Sequence, residues 1–411
     1  MPYREPRTEN FALDCARLSA MPLKLTTAGE SHGPRLTAIL DGIPAGLRID
    51  PGFVNRELER RQHGYGRGGR MKIEKDEAIF EGGVRGGVTL GSPIAIGISN
   101  RDHANWKRVM GPLEVDPSSA REKRLTRPRP GHGDLAGGMK FGAKDLRDIL
   151  ERASARESAA RVAAGAVCKL LLRECGIRVA SGVLSLGAVA DEKSPRSFIS
   201  LDRVREDSPL RALDRELEKR MVEAVDAAKR EGDTLGGSIL VGACGVPAGL
   251  GSYVSWDRKL DGRIAQAMLS VPAVKGFELG SAIEASRGPG SLAHDEIEPE
   301  KKDVLRRRTN RAGGLEAGVT NGEEIIAVIF MKPLSTLARG LDSVDLETGQ
   351  PARSAYERSD VTAVPACGVI AEAMLAFVLA DALLEVTGGD RMEDVRSRIS
   401  VHRDRIARYP R

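Results

Sequence analysis

Residues Gly29 to Pro44 read GESHGPRLTAILDGIP, a polar turn running into an alternating stretch, Leu36 to Leu40, with the two-residue period of a strand. In the turn, Gly29 and Gly33 bracket His32, so backbone can approach a small anion while an imidazole handles a proton near neutral pH. Two similarly polar islands follow, RPRPGHGD at Arg127–Asp134 and ERASARES at Glu151–Ser158.

Outward from this stretch, Pro93–Ile98, Ile239–Cys244 and Ile325–Met331 also read as strands, each an apolar run beside turn residues. A helix is expected over Pro51–Gln62, capped by Asp50 with Pro51 in its first turn. Further helices are expected over Ser154–Glu174, Pro209–Glu231 and Ala371–Thr387, the last stopped by Gly388 and Gly389. Taken locally, this is a mixed α and β chain. LDGIPAGL at Leu40–Leu47 echoes ACGVPAGL at Ala243–Leu250, and TLGSPI at Thr89–Ile94 echoes TLGGSI at Thr234–Ile239. Two explanations stay open, recurrent turn chemistry and a pseudo-duplicated architecture of two sheets.

The chain has 411 residues, 41% of them hydrophobic, enough for one large or two ordinary domains with a substantial core. A net charge of +5 and a pI near 8.9 favour acidic ligands without specifying nucleic acid. The 46 glycines follow no period and read as turns and close backbone approaches. Five scattered cysteines, without metal-type pairing, suit a reducing cytoplasm rather than a disulfide framework. Residues 1–20 lack the apolar core of a signal peptide and are expected to be a disordered extension or a misplaced start, with an ordered subunit-contact arm as the alternative. The run Ala366–Val386 is interrupted by Glu372 and Asp381 and does not read as membrane-spanning. Residues 391–411 read as a charged tail after a main domain of residues 21–390.

Of the six histidines, His32 and His132 alone lie in compact glycine-flanked motifs. No HExxH motif, pair of CxxC motifs or carboxylate cluster has metal-ligand spacing, so no metal is expected. Ser31 beside His32 keeps serine catalysis open, although the GxSxG elbow is missing. Arg60, Arg61, Arg67 and Arg70 surround GYGRGG, and Arg127 and Arg129 precede His132. Guanidinium groups hold phosphate or carboxylate through paired charge-assisted bonds, each contributing about 1.5 to 3 kcal/mol. Lys123, Arg124 and Arg306 to Arg308 read instead as solvated basic surface. GYGRGG follows a helix rather than a strand and is a poor dinucleotide fingerprint. Nucleic-acid binding by the arginine-rich loops is the alternative from another class, against which stand aromatic residues at only 4% of the chain.

Three separated regions resemble the signatures of the chorismate synthase family: GESHGPRLTAILDGIP, ERASARESAARVAAGAV at Glu151–Val167, and RSDVTAVPACGVIAEAM at Arg358–Met374. RPRPGHGD, DTLGG, SVPAVKG, NRAGG and KPLST fall between or beside them in the family's order, so the resemblance runs from Met21 to about Gly389. It implies a β-α-β sandwich of the α+β class, with helices layered between two antiparallel sheets, assembled as a cytoplasmic homotetramer. The implied enzyme is a carbon-oxygen lyase acting on a phosphate. It converts 5-enolpyruvylshikimate 3-phosphate into chorismate by trans-1,4 elimination, the last common step of the shikimate pathway to aromatic amino acids. Reduced FMN is required without net redox change, supplied by an external flavin-reducing system, with an intrinsic NADPH-dependent reductase left open. Neither nucleic acid nor membrane is an implied partner.

Carried over position by position, the resemblance makes His32, near the phosphate, and His132, near the flavin, catalytic, with Asp360 linked to deprotonation of flavin N5. Arg61, Arg67, Arg129 and Arg156 become substrate ligands. The FMN contacts fall on Arg152, Ala153, Ser154, Pro272, Ala273, Ala317, Lys332, Pro333, Leu334, Ser335, Thr336 and Arg358. Two departures stand out: a family glycine appears as Ala317, and an amide residue as Pro272. Ser154 also reads as a helix N-cap, and Arg358 with Asp360 as a surface ion pair.

Overall fold

Alternation in the opening stretch becomes β2 (Arg35–Asp41), which buries Leu36, Ala38 and Leu40 on one face. The computed structural model describes residues 23–68, 75–301, 304–357 and 360–409; the expected extension 1–20, Arg70 and Arg358 lie outside the described residues. β2 sits between β1 (Lys24–Ala28) and β6 (Ile94–Ser99), with β3 (Ile79–Gly82) beyond, in an antiparallel sheet of order β1-β2-β6-β3. The short hairpin β4 (Val84–Arg85) and β5 (Val88–Thr89) stands beside it.

The second half contributes β7 (Arg178–Leu186), β8 (Val189–Ala190), β9 (Gly237–Cys244) and β10 (Val274–Leu279). Hairpins β11 (Ile297–Lys301) with β12 (Val304–Arg307) and β13 (Leu315–Glu316) with β14 (Val319–Thr320) then precede β15 (Ile325–Met331). The second sheet has the order β10-β15-β9-β7-β8 and is antiparallel throughout. Burial along β9 and β15 is nearly continuous because both faces are covered. One outer cluster joins Leu240, Ile326 and Val328 to Leu184, Phe198 and Leu201.

Among the helices, α1 (Pro51–Gln62) precedes the long connection that carries α2 (His103–Trp106), α3 (Pro117–Glu122), α4 (Asp134–Phe141) and α5 (Arg147–Ala153) into α6 (Ser158–Glu174). α7 (Phe198–Asp202) and α8 (Arg215–Arg230) separate β7 from β9. α9 (Leu260–Leu269), α10 (Ala282–Ala285) and α11 (Gly290–Ala293) flank β10, and α12 (Val364–Thr387) and α13 (Met392–Ala407) close the chain. α6 packs on β1, β2 and β6, α12 packs on β7 and β9, and the two helices pack on each other, which makes the β-α-β sandwich. Their crossing is close: a Cβ on Gly165 would come within 2.4 Å of Ala373 Cβ. α12 is long and apolar enough to cross a membrane, yet it is buried nearly all round between sheet and helix.

The architecture is duplicated. Each half runs strand, strand, helix, strand, hairpin, strand, helix: β1, β2, α1, β3, β4–β5, β6, α6 against β7, β9, α9, β10, β13–β14, β15, α12. The sheet orders β1-β2-β6-β3 and β7-β9-β15-β10 correspond strand for strand. Hydrogen bonds repeat as well. Thr89 Oγ1 donates to Pro44 O (2.6 Å) and accepts from Leu47 N (2.9 Å), while Thr320 Oγ1 donates to Pro247 O (2.7 Å) and accepts from Leu250 N (2.8 Å). The IPAGL and VPAGL echo is therefore structural. The second echo is corrected: TLGSPI leads into β6 and its counterpart is TNGEEI at Thr320–Ile325, whereas TLGGSI leads into β9, the counterpart of β2.

That alignment also explains Ala317. It occupies the place of Gly86 in a two-residue hairpin turn, with φ +52° against +59°, followed by Gly318 as Gly86 is by Gly87. The stretch expected as a charged tail carries α13, with Met392, Val395 and Ile399 buried. α13 ties the halves together, since Met392 N donates to Ala45 O and His402 Nε2 to Ala248 O (2.8 Å), the same position in the two repeated turns.

Other boundaries moved for local reasons. α6 starts at Ser158 because Ala155–Glu157 forms a 3-10 turn capped by Ser154 Oγ, which accepts from Arg156 N. α8 starts at Arg215, capped by Asp214, not at Pro209. α12 starts seven residues before the expected Ala371, with Pro365 tolerated in the first turn.

Candidate active site

The site collects at the loops ending β1, β6 and β15 and at the starts of α6 and α12. His32, in the β1–β2 turn, is buried. Its Nδ1 lies 2.9 Å from Glu151 Oε1, its backbone N donates to Glu151 Oε2 (2.8 Å), and its ring stacks on Trp106 at 4.1 Å. Ser31 N donates to Glu151 O, and Ser154 Oγ donates to Ser31 Oγ (3.2 Å). Burial opposes the charge on Glu151, but the bonds from His32 and the Arg147 charge outweigh it and hold the pKa below its ordinary value.

Beside this turn two buried arginines converge. Arg61 NH2 donates to Asp76 Oδ2 (2.7 Å), and Arg156 NH1 donates to Asp76 Oδ1 (2.6 Å). Arg156 Nε reaches Asn100 Oδ1 (3.0 Å), and Asn100 Nδ2 in turn donates to Glu30 O and Gly33 O, tying the arginine pair to the histidine turn. Two guanidinium groups are thus bound to one buried carboxylate. Arg61 Nε is buried without a hydrogen-bond partner among the described residues. Arg67 NH1 lies 3.3 Å from Asp360 Oδ2, and Gly68 N donates to Asp360 Oδ1 (2.6 Å).

A second cluster surrounds His132. Asp134 Oδ1 accepts from His132 Nδ1 (2.5 Å), and Asp134 also accepts from Arg129 Nε (2.8 Å) and NH2 (3.0 Å). Burial again works against the carboxylate, while the His132 and Arg129 bonds push the Asp134 pKa well down. Arg129 NH1 donates to Thr336 Oγ1 (2.9 Å), Lys332 Nζ to Ser335 Oγ (2.8 Å), and Lys332 N to Ala273 O (2.9 Å). Gly131, at φ +77°, lies over this loop: a Cβ there would meet Ser335 Oγ at 3.4 Å and Lys332 Nζ at 3.7 Å. Burial, then the Lys275 charge, lower the Lys332 pKa, as in a place short of negative charge. Cation, hydroxyls and an open backbone cradle together fit a phosphate-bearing flavin.

These contacts join His132, Arg129, Ala273 and Lys332–Thr336 in one cluster, and His32, Arg61, Arg156 and Ser154 in its neighbour. Ala153 links them, 3.5 Å from a Cβ built on Gly133. Arg152 is turned to Thr27 O (2.9 Å) and Gly29 O (3.3 Å). Ala317 lies in its hairpin, where Gly318 O accepts from Leu260 N. Arg60, which stands with Arg61, Arg67 and Arg70 around GYGRGG, pairs with Glu372 (2.9 Å) in a buried network with Glu57, Lys169 and Arg211. Arg61, Arg129 and Arg156 face inward in ion pairs, unlike a nucleic-acid surface. The sequence alone gives Glu151, Asp76, Asn100, Trp106 and Asp134 no role; Glu151 and Asp134 sit inside the polar motifs, while the other three are joined to the site by folding alone.

A sequence profile described as chorismate synthase matches residues 23–384. A chorismate synthase of Geobacillus thermodenitrificans is 51% identical over 390 residues, covering 95% of this chain and all of the relative. One from Aquifex aeolicus is 52% identical over 389 residues, covering 93% of this chain and 97% of the relative. A solved structure, a crystal structure of chorismate synthase, superposes with a TM-score of 0.76 at 42% identity, covering 95% of this chain and 100% of that one.

Proposed function

This chain belongs to the chorismate synthase family, and on that premise we propose how its residues divide the work of the reaction. The enzyme is a carbon-oxygen lyase that eliminates phosphate from 5-enolpyruvylshikimate 3-phosphate to give chorismate. The observation that carries the assignment of roles is the Arg61–Asp76–Arg156 group, two buried guanidinium groups on one carboxylate, tied through Asn100 to the His32 turn.

Arg61 and Arg156, with Arg67, bind the anionic substrate, and His32 protonates the departing phosphate. Positioned against the leaving oxygen, an imidazole is the side chain most often used as a general acid. Reduced FMN, when bound, supplies the electron-rich partner that lets the carbon–oxygen bond break without net redox change. Lys332, Pro333, Leu334, Ser335 and Thr336, with Ala273 and the Gly131 cradle, would hold it, and Arg152, Ala153, Ser154, Pro272, Ala317 and Arg358 complete the set carried over from the family. Arg129, expected as a substrate ligand, binds Thr336 and joins the flavin side. His132, locked to Asp134, would face the reduced ring, and Asp360 would serve as the carboxylate that takes up a proton. A homotetramer in the cytoplasm, with an external system reducing the flavin, completes the reading.

Anaerobic incubation with substrate and chemically reduced FMN should release chorismate and inorganic phosphate in equal amounts without consuming the flavin. Oxidised FMN should give neither product. Product formation that ignores the flavin's redox state would contradict the assignment.

A further inference from the structure

The role of His32 as proton donor, on which this inference rests, leaves undecided which ring nitrogen acts and what holds it in place. We propose that Glu151 is the positioning residue for His32, fixing a proton on Nδ1 so that Nε2 is the nitrogen that exchanges its proton with the departing phosphate.

The Glu151 side chain is fully buried at the end of α5. It faces three donors at once: His32 N at 2.8 Å, His32 Nδ1 at 2.9 Å and Arg147 NH1 at 3.4 Å. An ionised carboxylate only accepts, so the His32 nitrogen facing it must carry hydrogen. The low pKa of Glu151 keeps it in that accepting form. Trp106 covers one ring face at 4.1 Å and is itself flanked by Arg147 (5.0 Å) and Lys123 (5.4 Å). His103 Nδ1 lies 2.9 Å from His32 O, which fixes the backbone behind the ring. Among the described residues, Asp102 is the charged group near the other nitrogen, with Oδ2 4.0 Å from Nε2, too far for a hydrogen bond. Nε2 is thus the ring nitrogen left for substrate. As the carbon–oxygen bond breaks, the Nε2 proton of the imidazolium passes to a phosphate oxygen, and His32 is left neutral with Nδ1–H still on Glu151. Free imidazole side chains offer no such fixed choice.

Histidine-selective 15N NMR of the wild-type protein, with the His32 signal identified by its loss in His32→Ala, reads the tautomer directly. Above the pH at which His32 loses its charge, the proton should sit on Nδ1. Glu151→Gln keeps the shape, but one amide oxygen cannot accept from all three donors, and its NH2 group must face one of them. That variant should show a mixed or reversed tautomer and a kcat about ten- to a hundredfold lower, by analogy with the loss of carboxylates that orient metal-bound histidines. Substrate KM should change much less than kcat. A wild-type His32 protonated on Nε2, or a folded Glu151→Gln with full turnover, overturns the proposal. If Glu151→Gln does not fold, the wild-type tautomer alone decides. Normal turnover in His32→Ala would instead remove the proton-donor reading while leaving the tautomer result intact, so the two failures are distinguishable.

Discussion

Arg61 and Arg156 are bound to the same buried carboxylate, each within 2.7 Å of an Asp76 oxygen. Burial raises the pKa of Asp76, but both guanidinium charges outweigh it and hold it below the ordinary 3.8. The unfolded chain therefore takes up this proton first as pH falls. The stability Asp76 contributes is complete above about pH 5 and fades as pH drops through the ordinary value toward the folded one. Urea unfolding should accordingly show a gap between wild type and Asp76→Asn that is wide at pH 7 and narrows below about pH 4. A gap independent of pH would mean that Asp76 stabilises by shape alone.

The network under α1 answers to a different measurement. Glu372, buried in α12, binds Arg60 (2.9 Å), Lys169 (2.6 Å), Arg211 (3.1 Å) and Ser181 (2.6 Å). Glu372→Gln should cost about 3–5 kcal/mol, the price of leaving buried cations short of a counter-charge. Denaturant melts would show it, and a loss below about 1 kcal/mol would place the group in solvent.

Duplication predicts matched responses. Thr89→Val and Thr320→Val each remove an oxygen that serves one buried carbonyl and one buried amide, so each should destabilise by about 1–3 kcal/mol per group left unpaired, with the two variants alike. A large effect at one site and none at the other would mean that the repeated geometry is not used equally.

Much of this fold was legible because it is local. Pro51–Gln62 and Ile325–Met331 appear with their expected bounds, set by the Asp50 cap and by an apolar run with turn residues before it. The IPAGL and VPAGL echo also marked the repeat, but pairing TLGSPI with TLGGSI matched letters rather than positions, since TNGEEI shares little besides Thr, Gly and Ile with its true counterpart. Motif residues such as His32, His132 and Arg61 were visible in the chain. Asp76, Asn100 and Trp106 were not, because each matters only through a partner far away in sequence. The turn of Arg60 onto Glu372 was equally hidden, since neighbours on a helix turn point in different directions.

Asp360→Asn separates charge from scaffold. The carboxylate takes the Gly68 amide and lies against Arg67, and an amide can keep one of these contacts. FMN and substrate should still bind, while single-turnover chemistry slows by about two to four powers of ten if the carboxylate handles a proton. Early melting with lost FMN binding would favour a purely structural role beside Arg67.

On this reading, phosphate leaves where the histidine turn meets the arginines that share Asp76. Phosphate release in a single anaerobic turnover, at saturating substrate and reduced FMN, tests it most directly in His32→Ala. The folded variant should still bind substrate, as read from the flavin spectrum, but release phosphate about two to four powers of ten more slowly. Release at the wild-type rate would contradict it.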